Sequence, residues 1–386
     1  MGPMRKKINR VFSVVVIGDK DHGKSTLIGR LAYETGAVQL DTVKRLRETS
    51  RIAGGGVEWA HVLDSFHEER EGEMTLDTTR IVLEYKHNHI ELIDVPGHQQ
   101  LWKNMLSGSS VAQCALLVVA ADSGLTPQAM RHIEIVKALG IKSVIVVINK
   151  CDLIGYSRVT YTVVASRVKE TLKKMQCTVV SMLPASGREG HNITRASKRL
   201  AWFKGATVMG ALENACAVNL KGNVRFVALV QHVFPNAFVG RVESGCLYAS
   251  DFLQDQNGVL MGGIKKLMSC NRAVSCVAEG AVFEVLLHNP HPGLERGSMF
   301  TSKKNRARFG ASARCAYLFF SKPTRKKLVY STALREIEIL NINPDTSTYM
   351  CYEDRMTFAG NVYPGEKFAI KNRDHVIGIG TVLEIV

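Results

Sequence analysis

The segment GDKDHGKST, Gly18–Thr26, follows the apolar run VFSVVVI and places glycines, a lysine and hydroxyls at the spacing that cradles phosphate. In G-x-x-x-x-G-K-S, Gly18 and Gly23 permit backbone shapes and close approaches that a side chain would block, and Asp19, Lys20, Asp21 and His22 form the loop between them. The backbone N–H groups of such a loop, and of the helix it opens, point at anionic oxygens. Lys24 is expected to meet β- and γ-phosphates and Ser25 to hold magnesium, with Thr26 closing the motif. A nucleoside triphosphate with Mg²⁺ is the ligand this pattern implies.

Further segments carry the other contacts such a ligand needs. HIELIDVPGH is an apolar run ending in Asp94 and Gly97, where a carboxylate can hold a magnesium-bound water and a glycine amide can sense a γ-phosphate. SVIVVINKCD delivers Asn149, Lys150 and Asp152, with Leu153 next, and this set suits guanine: Asp152 accepts from the N1–H and the exocyclic amine, a donor pair adenine does not offer. TVVSMLPASG ends in Ser186 and Gly187, followed by Arg188, whose backbone amides can touch the guanine oxygen. The four pieces together predict a site for GTP and GDP.

Strands must deliver these loops. From residue 11 to about 216, apolar runs at 11–17, 81–84, 90–95, 115–121, 143–149 and 178–184 alternate with helical patterns such as STLIGRLAYETG and QAMRHIEIVKALG. The spacing predicts an α/β domain with a doubly wound, mostly parallel sheet and its ligand loops at strand C-termini. NITRASKRLAWFKGATVMGALENAC is expected to end that domain as helix. From about residue 220 short strands separated by Gly, Pro and Asn predict two small β-barrels. The expected division is 1–218, 219–304 and 305–386.

At 386 residues and 46% hydrophobic content, the chain is long enough for large cores in two or three domains. Its apolar runs all fall short of the roughly 20 residues that span a bilayer, and MGPMRKKINRVF does not have the make-up of a secretory signal, so no membrane partner is expected. Nine cysteines without a C-x-x-C pair predict neither structural zinc nor a disulfide framework, and buried free thiols fit a cytoplasmic setting. Lys and Arg outnumber Asp and Glu by 50 to 35, a net charge of +15, concentrated in RKKINR, KKNRAR at 303–308 and KPTRKK at 322–327. That excess attracts nucleic acid or another acidic partner, although such runs are also ordinary solvated faces.

These motifs, in this order and over nearly the whole chain, resemble the translation-factor superfamily of GTPases, which contains elongation factor Tu, elongation factor 1-alpha and the GTPase subunit of sulfate adenylyltransferase. The resemblance implies a P-loop GTPase hydrolysing GTP as a conformational switch. It also makes Thr75, in LDSFHEEREGEMTLDTTRI, a second magnesium ligand, and His98 the group that positions or polarises the attacking water beside the catalytic Lys24. FVGRVESG at 238–245 and LERGSMF at 294–300 are similar to landmarks of the superfamily's second domain, and EKFAIKNRDHVIGIGTVLEIV to the final hairpin of its third.

Two departures stand out. Where the superfamily reads R-G-I-T-I, this chain has Gly72, Glu73, Met74, Thr75 and Leu76, which puts a carboxylate near the phosphates; the guanine loop reads Ser186, Gly187, Arg188 where S-A is usual. STLIGRLAYETGAV, AMRHIEIVKALGI and AWFKGATVMGALE look most like the sulfate adenylyltransferase subunit, whose partner would be a separate adenylyltransferase catalytic subunit. DHGKST and the basic balance also suit an elongation factor acting with tRNA and the ribosome. A divergent, slow GTPase serving as a binding module is the remaining alternative.

Overall fold

A computed structural model of the chain describes residues 11–38, 59, 61–62, 79–85, 88–94, 112–219, 225–235, 237–269, 272–279, 281–288, 294–321, 323, 328–332, 336–342, 350–372 and 375–386. They cluster into two compact units, one drawn chiefly from residues up to Lys221 and the other chiefly from Gly222–Val386.

The first unit is built on strands β1 (Val11–Gly18), β2 (Thr79–Tyr85), β3 (Asn88–Asp94), β4 (Cys114–Ala120), β5 (Ser143–Asn149) and β6 (Thr178–Pro184). They lie in the order β2-β3-β1-β4-β5-β6, with β2 antiparallel to β3 and every other pairing parallel. β4 is buried at every residue and β5 at all but its first, which is why both are continuous Val, Ile, Leu and Ala text without alternation. Helices α1 (Lys24–Thr35), α2 (Pro127–Ala138), α3 (Arg158–Lys174) and α4 (Val208–Asn219) accompany the sheet. α1 buries Leu27, Ile28, Leu31 and Ala32 in the main core and stops at Gly36, whose φ of +78° lets its N–H turn back to Ala32 and Tyr33.

The stretch expected as one helix from Asn192 is helical only from Val208, apart from a single 3₁₀ turn at Lys198–Leu200. Side chains compete with the helix there: Ser197 accepts from the Arg199 N–H, Asn192 donates to the Pro184 carbonyl, and the Trp202 indole donates to the Tyr156 carbonyl at 2.9 Å.

The second unit holds two all-β bodies. One is a seven-stranded sheet over residues 227–302 whose strands Phe252–Asp255 and Leu260–Ser269 also pair with each other. The other is a closed six-stranded barrel from Gly310 to Ile385. Each has an aromatic centre: Phe226, Phe238, Phe283 and Phe300 edge to face in the first, and Tyr330 stacked on Phe368 beside Phe358 in the second. The fold is therefore an α/β nucleotide-binding type of domain followed by two β-barrels.

Candidate nucleotide site

The loop between β1 and α1 needs both of its glycines. Gly18 has φ +143°, and a Cβ there would stand 2.3 Å from the Val118 carbonyl oxygen; Gly23 has φ +81°, and its Cβ would stand 2.5 Å from Asn149 Nδ2. Asp21 also takes a left-handed φ of +63°. Histidines brace the loop from below. His22 is buried with Nδ1 3.4 Å from the Val118 carbonyl and Nε2 3.3 Å from Ser123 Oγ, while His132 of α2 places Nδ1 3.1 Å from the Gly18 carbonyl.

Lys24 folds over this cradle and donates to the Asp19 carbonyl at 2.7 Å. Burial pulls its ammonium below the usual lysine range, and the carboxylates of Asp94, Asp19 and Asp21 oppose that. Burial pushes Asp19 up, yet the Thr126 hydroxyl, the Lys20 N–H and the charges of His22 and Lys24 carry it below the ordinary carboxylate value. Ser25 and Thr26 sit in the first turn of α1 and Lys20 is exposed beside the loop.

At the end of β5, Asn149 is a two-sided tie. Its Nδ2 donates to the His22 carbonyl at 3.0 Å and its Oδ1 accepts from the Gly187 N–H at 2.9 Å, so one amide joins the phosphate loop to the segment after β6. Lys150 follows with φ +60°. Asp152 Oδ1 accepts from Ser186 Oγ at 2.6 Å, and the same hydroxyl accepts from the Glu189 N–H at 3.2 Å. Leu153 and Arg188 are exposed, whereas Ser186 and Gly187 are buried, Gly187 so close to Leu27 that a Cβ would stand 3.3 Å from its Cα. The structure thus brings the segments at Gly18–Thr26, Asn149–Leu153 and Ser186–Arg188 together.

Asp94 closes β3, and its carboxylate is foremost among the charges that oppose the burial lowering the Lys24 ammonium. Mg²⁺ takes hard oxygen donors, and the Ser25 hydroxyl and Asp94 carboxylate are of that kind, so the residues present fit this ion. Thr75, Gly97 and His98 lie outside the described residues, as do Gly72, Glu73 and Met74.

The family model of the elongation factor Tu GTP binding domain matches residues 9–246. The chain belongs to this family. It is a P-loop protein of the translation-factor GTPase superfamily, and GTP and GDP are the ligands that membership carries. Elongation factor 1-alpha of Natronomonas pharaonis is 34% identical over 261 residues, 66% of this chain and 62% of that protein. Elongation factor 1-alpha of Pyrococcus woesei is 36% identical over 240 residues, 61% of this chain and 56% of that protein. The chain thus matches less than two thirds of these relatives' length. The Saccharomyces cerevisiae Ski7 GTPase-like domain, in a crystal structure bound to GTP, shares the fold over 96% of this chain and 97% of that one, with a TM-score of 0.56 and 18% identity.

Some site residues carry no motif signal. His132 reads as part of an amphipathic helix and Ser123 as a turn residue, and Trp59 stands far ahead of the guanine loop it touches, with its indole Nε1 3.3 Å from the Arg188 carbonyl. Only the neighbouring loops' need for fixed carbonyls would have pointed to them. Among the described residues no helix is long and apolar enough to cross a membrane. Burial pushes the thiols of Cys114, Cys151 and Cys315 up to about 12, so they behave as small hydrophobes.

Proposed function

We propose that the chain is a switch that binds GTP with Mg²⁺, hydrolyses it to GDP and phosphate, and in the GTP form engages a partner in translation. The observation that carries the nucleotide reading is Asn149, which joins the phosphate loop to the guanine loop with both ends of one amide. In this reading Lys24 neutralises charge building on the γ-phosphate during in-line attack by water, and His98 positions that water. Bound Mg²⁺ would supply further charge neutralisation, held through Ser25, Asp94 and Thr75. Gly97 and Thr75 sense the γ-phosphate and are released on cleavage.

The partner follows from two weaker supports. The relatives described above are elongation factors, and the net charge of +15 suits tRNA or ribosomal RNA. The sulfate-activating reading keeps its own support in the wording of α1, α2 and the approach to α4, and predicts a small adenylyltransferase subunit instead. Glu73 would slow turnover in either case.

The test measures affinity for GTP, GDP and ATP with and without magnesium, then captures partners with protein loaded with a non-hydrolysable GTP analogue. Guanine selectivity that requires magnesium supports the switch, and equal affinity for ATP overturns it. Capture of RNA that falls about a thousandfold or more between roughly 50 and 200 mM salt supports the translation partner, and a salt-tolerant adenylyltransferase subunit supports the alternative.

A further inference from the structure

The guanine loop after β6 has no regular secondary structure, so its shape must be imposed by its neighbours. One of them comes from a distant part of the sequence. Trp59 is buried, its ring lies 4.7 Å from that of Tyr33 at 31°, and the Arg30 guanidinium sits 4.8 Å from its centroid. The same indole donates to the Arg188 carbonyl at 3.3 Å.

That carbonyl belongs to the peptide plane shared with the Glu189 N–H, so holding one end of the plane orients the other. The Glu189 N–H donates to Ser186 Oγ at 3.2 Å, and Ser186 Oγ donates to Asp152 Oδ1 at 2.6 Å. A chain of contacts therefore runs from the Trp59 indole through one rigid peptide and one hydroxyl to the carboxylate assigned to the guanine amine. The far side of the loop is fixed by the same helix. Arg30 pairs with Glu34 at 2.6 Å, Glu34 accepts from the Thr194 N–H at 3.3 Å, and Gly190, with φ +78°, leaves room for Arg30, whose Nη2 would stand 1.9 Å from a Cβ there.

Trp59 reaches this position because α1 carries a notch. Gly29 is buried in mid-helix, and a Cβ on it would stand 2.0 Å from the Trp59 carbonyl oxygen and 2.9 Å from its carbon. Those are backbone atoms, so they cannot step aside as a flexible side chain would. Glycine is a poor helix former, and its use here is accounted for by the close approach of the Trp59 backbone.

We propose that Trp59 is a positioning residue for base recognition, setting the Arg188–Glu189 peptide and through it the Ser186–Asp152 pair that reads guanine. The inference rests on the guanine-site reading and deepens it. Trp59→Phe removes only the N–H donor, and Gly29→Ala, which favours the helix, evicts the Trp59 backbone without touching the loop.

The experiment measures GDP and IDP affinity for parent and both variants. IDP keeps the 6-oxo group and the N1–H and lacks the exocyclic amine from which Asp152 would accept. Loss of the neutral indole-to-carbonyl hydrogen bond predicts a fall in the GDP-over-IDP preference of roughly fivefold in Trp59→Phe, and a comparable or larger fall in Gly29→Ala. Loosening of the fold alone would lower thermal midpoints and leave the ratio where it was. A parent that prefers GDP, with both variants holding that ratio within about twofold, overturns the role of Trp59 and leaves the guanine site standing. A parent with no GDP preference overturns the guanine reading itself, and this inference with it.

Discussion

The two ends of the nucleotide site are built on different principles. The base end is a lattice of side chains in which Asn149, Asp152 and Ser186 each have a fixed partner, and Tyr156 hydrogen-bonds Glu189 while meeting His191 edge to face at 5.3 Å. Among the described residues the phosphate end relies more on main chain. It is backbone shaped by Gly18 and Gly23, with His22 and His132 bracing carbonyls from beneath and one mobile type of side chain, Lys24, resting on the Asp19 carbonyl. A base does not change during turnover and can be met by a preset surface. A γ-phosphate arrives and leaves, and a ring of N–H donors with one long cation accommodates both states.

That contrast predicts unequal responses to mutation. Lys24→Ala should have the largest effect, because it removes the ammonium from a cradle shared with Asp94, Asp19 and Asp21 and leaves their charge facing the phosphates. GTP affinity is expected to fall by about two orders of magnitude or more, with the guanine-over-adenine ratio unchanged. Isothermal titration with GTP and ATP checks both, and a variant that binds GTP like the parent would break the assignment of the phosphate end. Asp152→Asn should act the other way round. Reversing the donor and acceptor pattern predicts a loss of roughly tenfold or more in GDP affinity and a gain for xanthosine diphosphate, with sensitivity to magnesium intact. Unchanged base selectivity would remove Asp152 from the base end.

The same contrast explains what the sequence made legible. Lys24, Asn149 and Asp152 stand out in the sequence because phosphate cradles and guanine contacts call for set residue types at short, constant spacings after buried strands, and β1, β4 and β5 are dominated by buried apolar residues. The braces are another matter. His132 and Trp59 act through one ring nitrogen each on a carbonyl more than a hundred positions away, so nothing in their local text marks them. The stretch from Asn192 to Thr207 misleads for a related reason: its residues are tolerable helix formers, and only long-range bonds such as Trp202 to the Tyr156 carbonyl show why it is irregular.

The smallest expected effect tests whether the phosphate loop depends on its buried brace. Burial holds the His22 imidazole below the ordinary value of 6.5, helped by Lys24 and Lys150 and opposed by the Val118 carbonyl and Asp19. The unfolded chain therefore takes up this proton more readily than the folded one, and the stability due to neutral His22 is present above pH 6.5 and lost as the pH falls from there through the folded-state value. Chemical unfolding at about pH 7.5 and about pH 5.5 should show the folded state weakening toward acid, and His22→Gln, which carries no titrating group, should weaken less over the same interval. In nucleotide binding the GDP-over-IDP ratio should stay level across that range while affinity for both shifts in parallel, since a proton entering under the phosphate loop acts on the diphosphate that both ligands share. A ratio that moved with pH in the parent and stayed still in His22→Gln would mean that the Asn149 amide, bonded to the His22 carbonyl at 3.0 Å, carries the disturbance across, and the two ends would have to be treated as one unit.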